Sequence, residues 1–224
     1  MTNVRDDLAP TGVLRASINL GNPVLAQGTP DEPRGVTVDI AREIARRLDV
    51  PVEFVCFDAA RKSFEAMVTG QAGLCFLAVD PARADQVAFT EPYVVIEGVY
   101  VVGKDSALTT VADVDGPGIR IGVKEGSAYD LHLSRTVQQA TIVRGAEGVD
   151  VFVDQGLEAG AGIREPVTQF VAEHPDLRMI DDPFMEIRQA VGTLKTRHPD
   201  TVAYLYGVVE ELKESGFIAQ ALAR

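Results

Sequence analysis

The chain has 224 residues, room for one large domain or for two lobes of about 100 residues each. With 46% hydrophobic and 24% charged residues, its composition is that of an ordinary globular protein. A net charge of −12 argues against nucleic acid and anionic membrane surfaces as partners, since both reward Lys/Arg clusters and the longest basic run here is Arg46-Arg47.

In chain order, "VLRASIN" (13–19) reads as a short strand ended by the turn-rich "LGNP". A polar loop leads to "VTVDIAREIARRLDV", where Ile40, Ile44 and Leu48 recur every four residues, as on one face of a helix that Thr37 can cap. "PVEFVCF" is the next strand, a helix over about 61–69 stops at Gly70, and "GLCFLA" is a continuous apolar strand. This β-α-β-α-β order calls for a parallel sheet covered on both faces. The segment "DPARADQVAFTEPY" (80–93) then sets a cap, Asp80, and a first-turn proline, Pro81, ahead of Arg83.

The pattern restarts past residue 110. "IRIGV" is a strand, "EGSAYDLHLSRT" a helix capped by Ser127, and "ATIVRG" a strand. "GVDVFVDQ" has Val149, Phe152 and Val153 at helical spacing, with Gly156 as its stop. "LEAGAGI" is a strand of small residues, followed by a helix with Pro166 in its first turn, and "LRMI" closes the set. "YVVIEGVYVVG" (93–103) and "IRQAVGTLK" (187–195) are extended apolar segments on either side of this second unit. Read as crossover strands, they make residues 103–188 a second lobe inserted into a first lobe of residues 1–98 plus 190–224. The C-terminal helices "DTVAYLYGVVEELKESG" and "FIAQALAR" then pack back on lobe one. The fold class expected is α/β, with two Rossmann-like lobes of open sheet joined by two crossovers. Open α/β sheets bind ligands at the carboxyl ends of their strands.

Several chemistries find no motif. His132, His174 and His198 are too scattered for a metal-ligand set, and no P-loop, dinucleotide or nucleophile-elbow signature occurs, so neither metal nor cofactor is expected. Cys56 and Cys75 lie in apolar runs and read as buried free thiols. No apolar run reaches the ~18 residues of a membrane span. "MTNVRDDLAPTG" lacks the charged-then-apolar pattern of a signal peptide. Two readings of location stay open: a cytosolic protein, or one whose export segment has been removed.

"GVTVDIAREIARRLDVPVEFV", "DPARADQVAFTEPY", "IGVKEGSAYDL" and the closing "VVEELKESGFIAQAL" together resemble the type II solute-binding proteins, and more narrowly the polar amino-acid receptors of ABC importers. The likeness covers nearly the whole chain. It implies a monomeric, bilobal periplasmic protein that closes on a small anionic solute by hinge motion and delivers it to an ABC permease. It also implies that Arg83 grips the solute carboxylate, as suits a permanently charged group with two parallel N–H donors. Gly126, Ser127 and Ala128 would present backbone N–H groups, with the Ser127 hydroxyl, to the same carboxylate, as helix N-termini do for anions.

Other positions depart from the family pattern. Asn19 stands where a carboxylate usually meets the ligand ammonium, and Ile163 (or Gly162) stands at the second such place. An alternative register puts Gln155 there. Asn22 replaces an aromatic, Ala59 or Ala60 a stacking Trp or Phe, and Ala78 a hydroxyl residue, while Phe76 occupies a position usually small. These departures imply a carboxylate-bearing ligand without a standard α-ammonium. Lys62 could add a second positive group for a dicarboxylate, or be a solvated helix-surface lysine. Glu97 and Glu158 could restore an ammonium site from elsewhere. The competing readings are a cyclohexadienyl-dehydratase-like lyase, whose catalytic glutamate would align with Arg188 two residues from Glu186, and a cytosolic solute buffer or sensor.

Overall fold

The structure, a computed structural model, describes residues 3–224, so the first two residues of the range expected for lobe one lie outside it. Contacts divide the chain into two units. One runs up to Val94 and takes in Arg188–Arg224, and the other is Val95–Ile187.

The first unit begins with α1 (Val4–Leu8) and β1 (Leu14–Asn19). A two-residue hairpin, β2 (Gln27–Gly28) with β3 (Pro33–Arg34), leads into α2 (Val36–Arg47). The helix buries Val36, Ile40, Ala41, Ile44 and Ala45, the stripe its apolar spacing requires. Then come β4 (Val52–Phe57), α3 (Ala60–Val68), β5 (Leu74–Ala78), the single turn α4 (Pro81–Ala84) and the long β6 (Val87–Gly103). β1 pairs in parallel with β4 on one side and β5 on the other. All five residues of β5 are buried, as a central strand covered on both faces must be.

In the second unit follow α5 (Val111–Val114), β7 (Arg120–Lys124), α6 (Ala128–Thr136), β8 (Thr141–Gly145), α7 (Gly148–Asp154), β9 (Ala159–Ile163), α8 (Arg164–Glu173) and β10 (Leu177–Met179). β7 pairs in parallel with β8 and β9, and residues 98–101 of β6 run antiparallel along β9. Val99, Val101, Phe152 and Val167 form its apolar centre. Glycines set how closely α7 lies on this sheet. A Cβ on Gly148 would fall 2.2 Å from the Ala161 carbonyl oxygen, and one on Gly122 would fall 2.6 Å from that of Gly148.

β11 (Met185–Leu194) returns the chain to the first unit, where residues 189–192 pair antiparallel with β5. α9 (Pro199–Glu214) and α10 (Phe217–Leu222) complete it, with Leu205, Val208, Val209, Leu212 and Ile218 joining the same core as α2. Each unit therefore holds a mixed sheet of three parallel strands with an antiparallel neighbour. Among the described residues no helix is long and apolar enough to cross a membrane.

Several local expectations are corrected. α2 is capped by Gly35, not Thr37; Gly35 has φ 108, and a Cβ there would sit 2.5 Å from the Leu25 carbonyl oxygen. The Thr37 hydroxyl instead donates to that same carbonyl at 2.9 Å, tying the helix start to the loop after β1. Cys75 is fully buried, but Cys56 is only partly so.

Candidate functional site

Arg83 lies in α4 just past the carboxyl end of β5. Asp80 caps this turn, its Oδ1 accepting from Ala82 N at 2.9 Å, and Pro81 opens it. The guanidinium is 3% exposed and donates through Nη1 to the Ala78 carbonyl oxygen at 3.1 Å. Burial pushes its pKa down from the ordinary value, while the Asp80 charge opposes that shift. A guanidinium is kept out of water only where carbonyls and anions face it, and a planar fork of this kind matches a carboxylate.

Around it, Phe76 (3% exposed) meets Tyr93 (5% exposed) edge-on, with centroids 6.3 Å apart. Asn19 ends β1, and its Oδ1 accepts from Gly21 N at 3.0 Å, forming the turn that carries the chain to Asn22. The Asn22 carbonyl accepts from Leu25 N and Ala26 N, while its buried side-chain Oδ1 has no partner among the described residues. Arg83, Ala78, Phe76, Asn19 and Asn22 thus belong to the carboxyl ends of β1 and β5 or the turns that follow. Lys62 instead pairs with Asp58 at 2.7 Å, with the lysine side chain 40% exposed and the aspartate 76%. That is the arrangement of a solvated helix-surface lysine.

In the second unit, Ser127 caps α6, its Oγ accepting from Asp130 N at 3.1 Å. Gly126 N donates to Asp130 Oδ2 at 2.8 Å, and Ser127 N to the Lys124 carbonyl at 3.1 Å. Two of the three N–H groups expected to face a solute therefore already serve the turn. Those of Ala128 and Tyr129, first-turn groups without intrahelical partners, are the donors the helix start has to offer. Asp130, which sequence reasoning passed over, is 3% exposed and also accepts from Ser134 Oγ at 2.9 Å and Arg144 Nε at 3.0 Å. Its position four residues beyond a turn glycine, inside the first helical turn, was the signal available.

Ile163 ends β9 opposite Gly98 and is the N-cap residue of α8, without a side-chain cap bond. α7 is present as a helix, and Gln155 is its C-cap residue. The two acids weighed as an alternative ammonium site, Glu158 and Glu97, are each paired with an arginine. Glu158 takes Arg120 Nε at 2.9 Å and Nη2 at 2.8 Å, and hydrogen bonds from Arg120 hold its pKa down to about 2. Glu97 pairs with Arg164, which also donates to the Asp181 carbonyl at 2.7 Å. Among the described residues no group of three His, Cys, Asp or Glu could hold a metal ion.

Solved structures share this architecture over nearly the full chain. The P235GK mutant of ArgBP from T. maritima aligns with a TM-score of 0.79 at 25% identity, covering 98% of this chain and 97% of that one. AbpA from Streptococcus pneumoniae, an amino acid ABC transporter substrate-binding protein solved bound to L-arginine, aligns with a TM-score of 0.79 at 19% identity, covering 97% and 96%. The ancestral amino acid-binding protein AncCDT-1, a precursor of cyclohexadienyl dehydratase, gives 0.77 at 20%, also covering 97% and 96%. At those identities the last two show the fold alone, which is that of the type II periplasmic binding proteins. The comparison with curated proteins finds no match. The profile of one family spans residues 18–224, from the end of β1 to the last residue, and on that match the chain belongs to the bacterial extracellular solute-binding proteins, family 3.

Proposed function

We propose that the protein is the receptor of an ABC importer, working outside the cytoplasmic membrane, and that it binds a small organic acid lacking a standard α-ammonium. The observation that carries this reading is the buried guanidinium of Arg83 at the carboxyl end of β5, a permanently charged group of the kind that pairs with a carboxylate. In the other unit, Gly126, Ser127 and Ala128 open α6, where the Ala128 N–H is the one of the three not used by the turn and is the donor assigned to an anion.

The absence of an ammonium follows from charge. An ammonium moved out of water without a carboxylate costs several kcal/mol. The two places where the family pattern sets an acid hold Asn19 and Ile163, and Glu97 and Glu158 are already neutralised by Arg164 and Arg120. ArgBP and AbpA are each described as arginine-bound.

A calorimetric panel of amino acids, keto acids, hydroxy acids and dicarboxylates tests the proposal. The expected result is binding by deaminated acids. Micromolar binding of an ordinary L-amino acid, with its deaminated analogue silent, defeats it. The lyase alternative, which the AncCDT-1 likeness keeps in view, needs an acid to protonate a leaving hydroxyl. Glu186 is exposed and Glu97 is paired with Arg164, so incubation with prephenate or arogenate is expected to give no aromatic product.

A further inference from the structure

The carboxylate of Asp130 is the hub of the turn that opens α6. Its Oδ2 accepts from Gly126 N at 2.8 Å and from Arg144 Nε at 3.0 Å, and its Oδ1 from Ser134 Oγ at 2.9 Å. Arg144 Nη2 closes the ring by donating to Ser134 Oγ at 2.8 Å. The aspartate side chain is 4% exposed and the arginine 47%, so an enclosed carboxylate is reached by a guanidinium from the surface.

Two bonds of Asp130 build the helix start. Its N–H donates to the cap, Ser127 Oγ, at 3.1 Å, and its carboxylate holds Gly126, whose φ is 69. This is a capping box displaced by one residue: the acid three positions beyond the cap takes the N–H before the cap, not the cap's own. The Ala128 and Tyr129 N–H groups are left without intrahelical partners.

Such a frame works against an incoming anion. A helix start attracts negative charge through its unpaired N–H groups and its dipole, and a carboxylate within the first turn already draws on that attraction. It also repels a second anion, the more so where water is excluded. Arg144, on the neighbouring strand β8, sets the opposite charge on the same oxygen that holds Gly126 N. Lys124, at the end of β7, is already paired with Glu147.

We propose that Arg144 is a positioning residue of the solute site: acting through Asp130, it cancels the charge of the carboxylate that builds the turn and leaves the start of α6 able to receive an anion. This rests on the reading above, in which the Ala128 N–H serves the solute, and adds to it a side chain that is not itself a donor to the solute. A purely structural role predicts otherwise. If Arg144 only braces the turn, removing Asp130 as well does further harm; if it cancels charge, removing both restores the balance. Asp130→Asn preserves the frame, since the amide oxygen can accept from Gly126 N while its NH2 donates to Ser134 Oγ.

Amide NMR of the whole protein, titrated at constant ionic strength with acetate and separately with pyruvate, reads the site at the Ala128 and Tyr129 signals. In the wild type both should shift saturably. Arg144→Met should raise the apparent Kd by about fivefold or more and Arg144→Lys by less, while Asp130→Asn combined with Arg144→Met should return it to within about twofold of wild type. Melting temperatures check that each variant is folded. An unchanged Kd in Arg144→Met overturns the inference, as does a folded double variant that binds no tighter than the single one. Should the double variant not fold, Arg144→Lys decides, and a loss as large as that of Arg144→Met overturns it. Ala128 and Tyr129 signals that stay still while the Arg83 Nε signal moves overturn it and leave the carboxylate reading standing. Stillness at all three overturns both.

Discussion

At Arg83, charge and shape act separately, and substitution can tell them apart. Truncating one partner of a buried, hydrogen-bonded charge pair costs at least ~2 kcal/mol, so Arg83→Ala should weaken carboxylate binding by about thirtyfold or more in calorimetry. Arg83→Lys keeps the charge but loses the planar fork, and should recover only part of that loss. The local frame of this residue was legible from the chain: Asp80-Pro81 announced a capped turn, and the turn forms. The neighbourhood of Tyr93 was legible only in part. "YVVIEGVYVVG" reads as an extended apolar segment, but that the Tyr93 ring stands edge-on to Phe76 depends on a residue outside that segment. The Gly126 N–H was assigned by resemblance to a solute, and its engagement by Asp130 is a choice between two local acceptors that spacing alone does not make.

Among elements, α7 shows how a sequence of small residues becomes close packing. Phe152 lies against Gly160 of β9 and Val151 against Gly122 of β7, where added Cβ atoms would come within 2.8 Å of those side chains. Gly148→Ala places a methyl on the Ala161 carbonyl, an overpacking that costs about 1–3 kcal/mol. In a chain of this length, that should lower the melting temperature by roughly 2–10 °C, read by calorimetry or circular dichroism. "LEAGAGI" could be read as a strand, yet which helix needed its glycines could not. Elements below the length at which periodicity carries a signal went unread: α1 with 5 residues, α5 with 4, and the hairpin strands with 2 each. α2 was found, but its start was set by a tertiary bond from Thr37 and by the backbone freedom of Gly35 rather than by a side-chain cap.

Over the whole molecule, both units rely on carboxylates held ionised by arginine. Arg46 and Arg47 hold Glu43 down to about 2 in the first unit, and Arg120 holds Glu158 down to about 2 in the second. Both folded values lie below the ordinary 4.5, so this stabilisation is complete above that pH and is lost as pH falls toward 2. Urea midpoints measured at stepped pH should stay level above about 5 and drop below 4, and Glu158→Gln should flatten part of that drop. Cys75 gives the first unit a built-in clock. Its thiol is fully enclosed beside Gly192, and burial pushes it up to about 12, so while β5 and β11 stay zipped there is neither access for a reagent nor thiolate to react. Iodoacetamide should modify the half-buried Cys56 first, and the slower second addition, timed by mass spectrometry, will count the moments at which the central strand of that sheet comes apart.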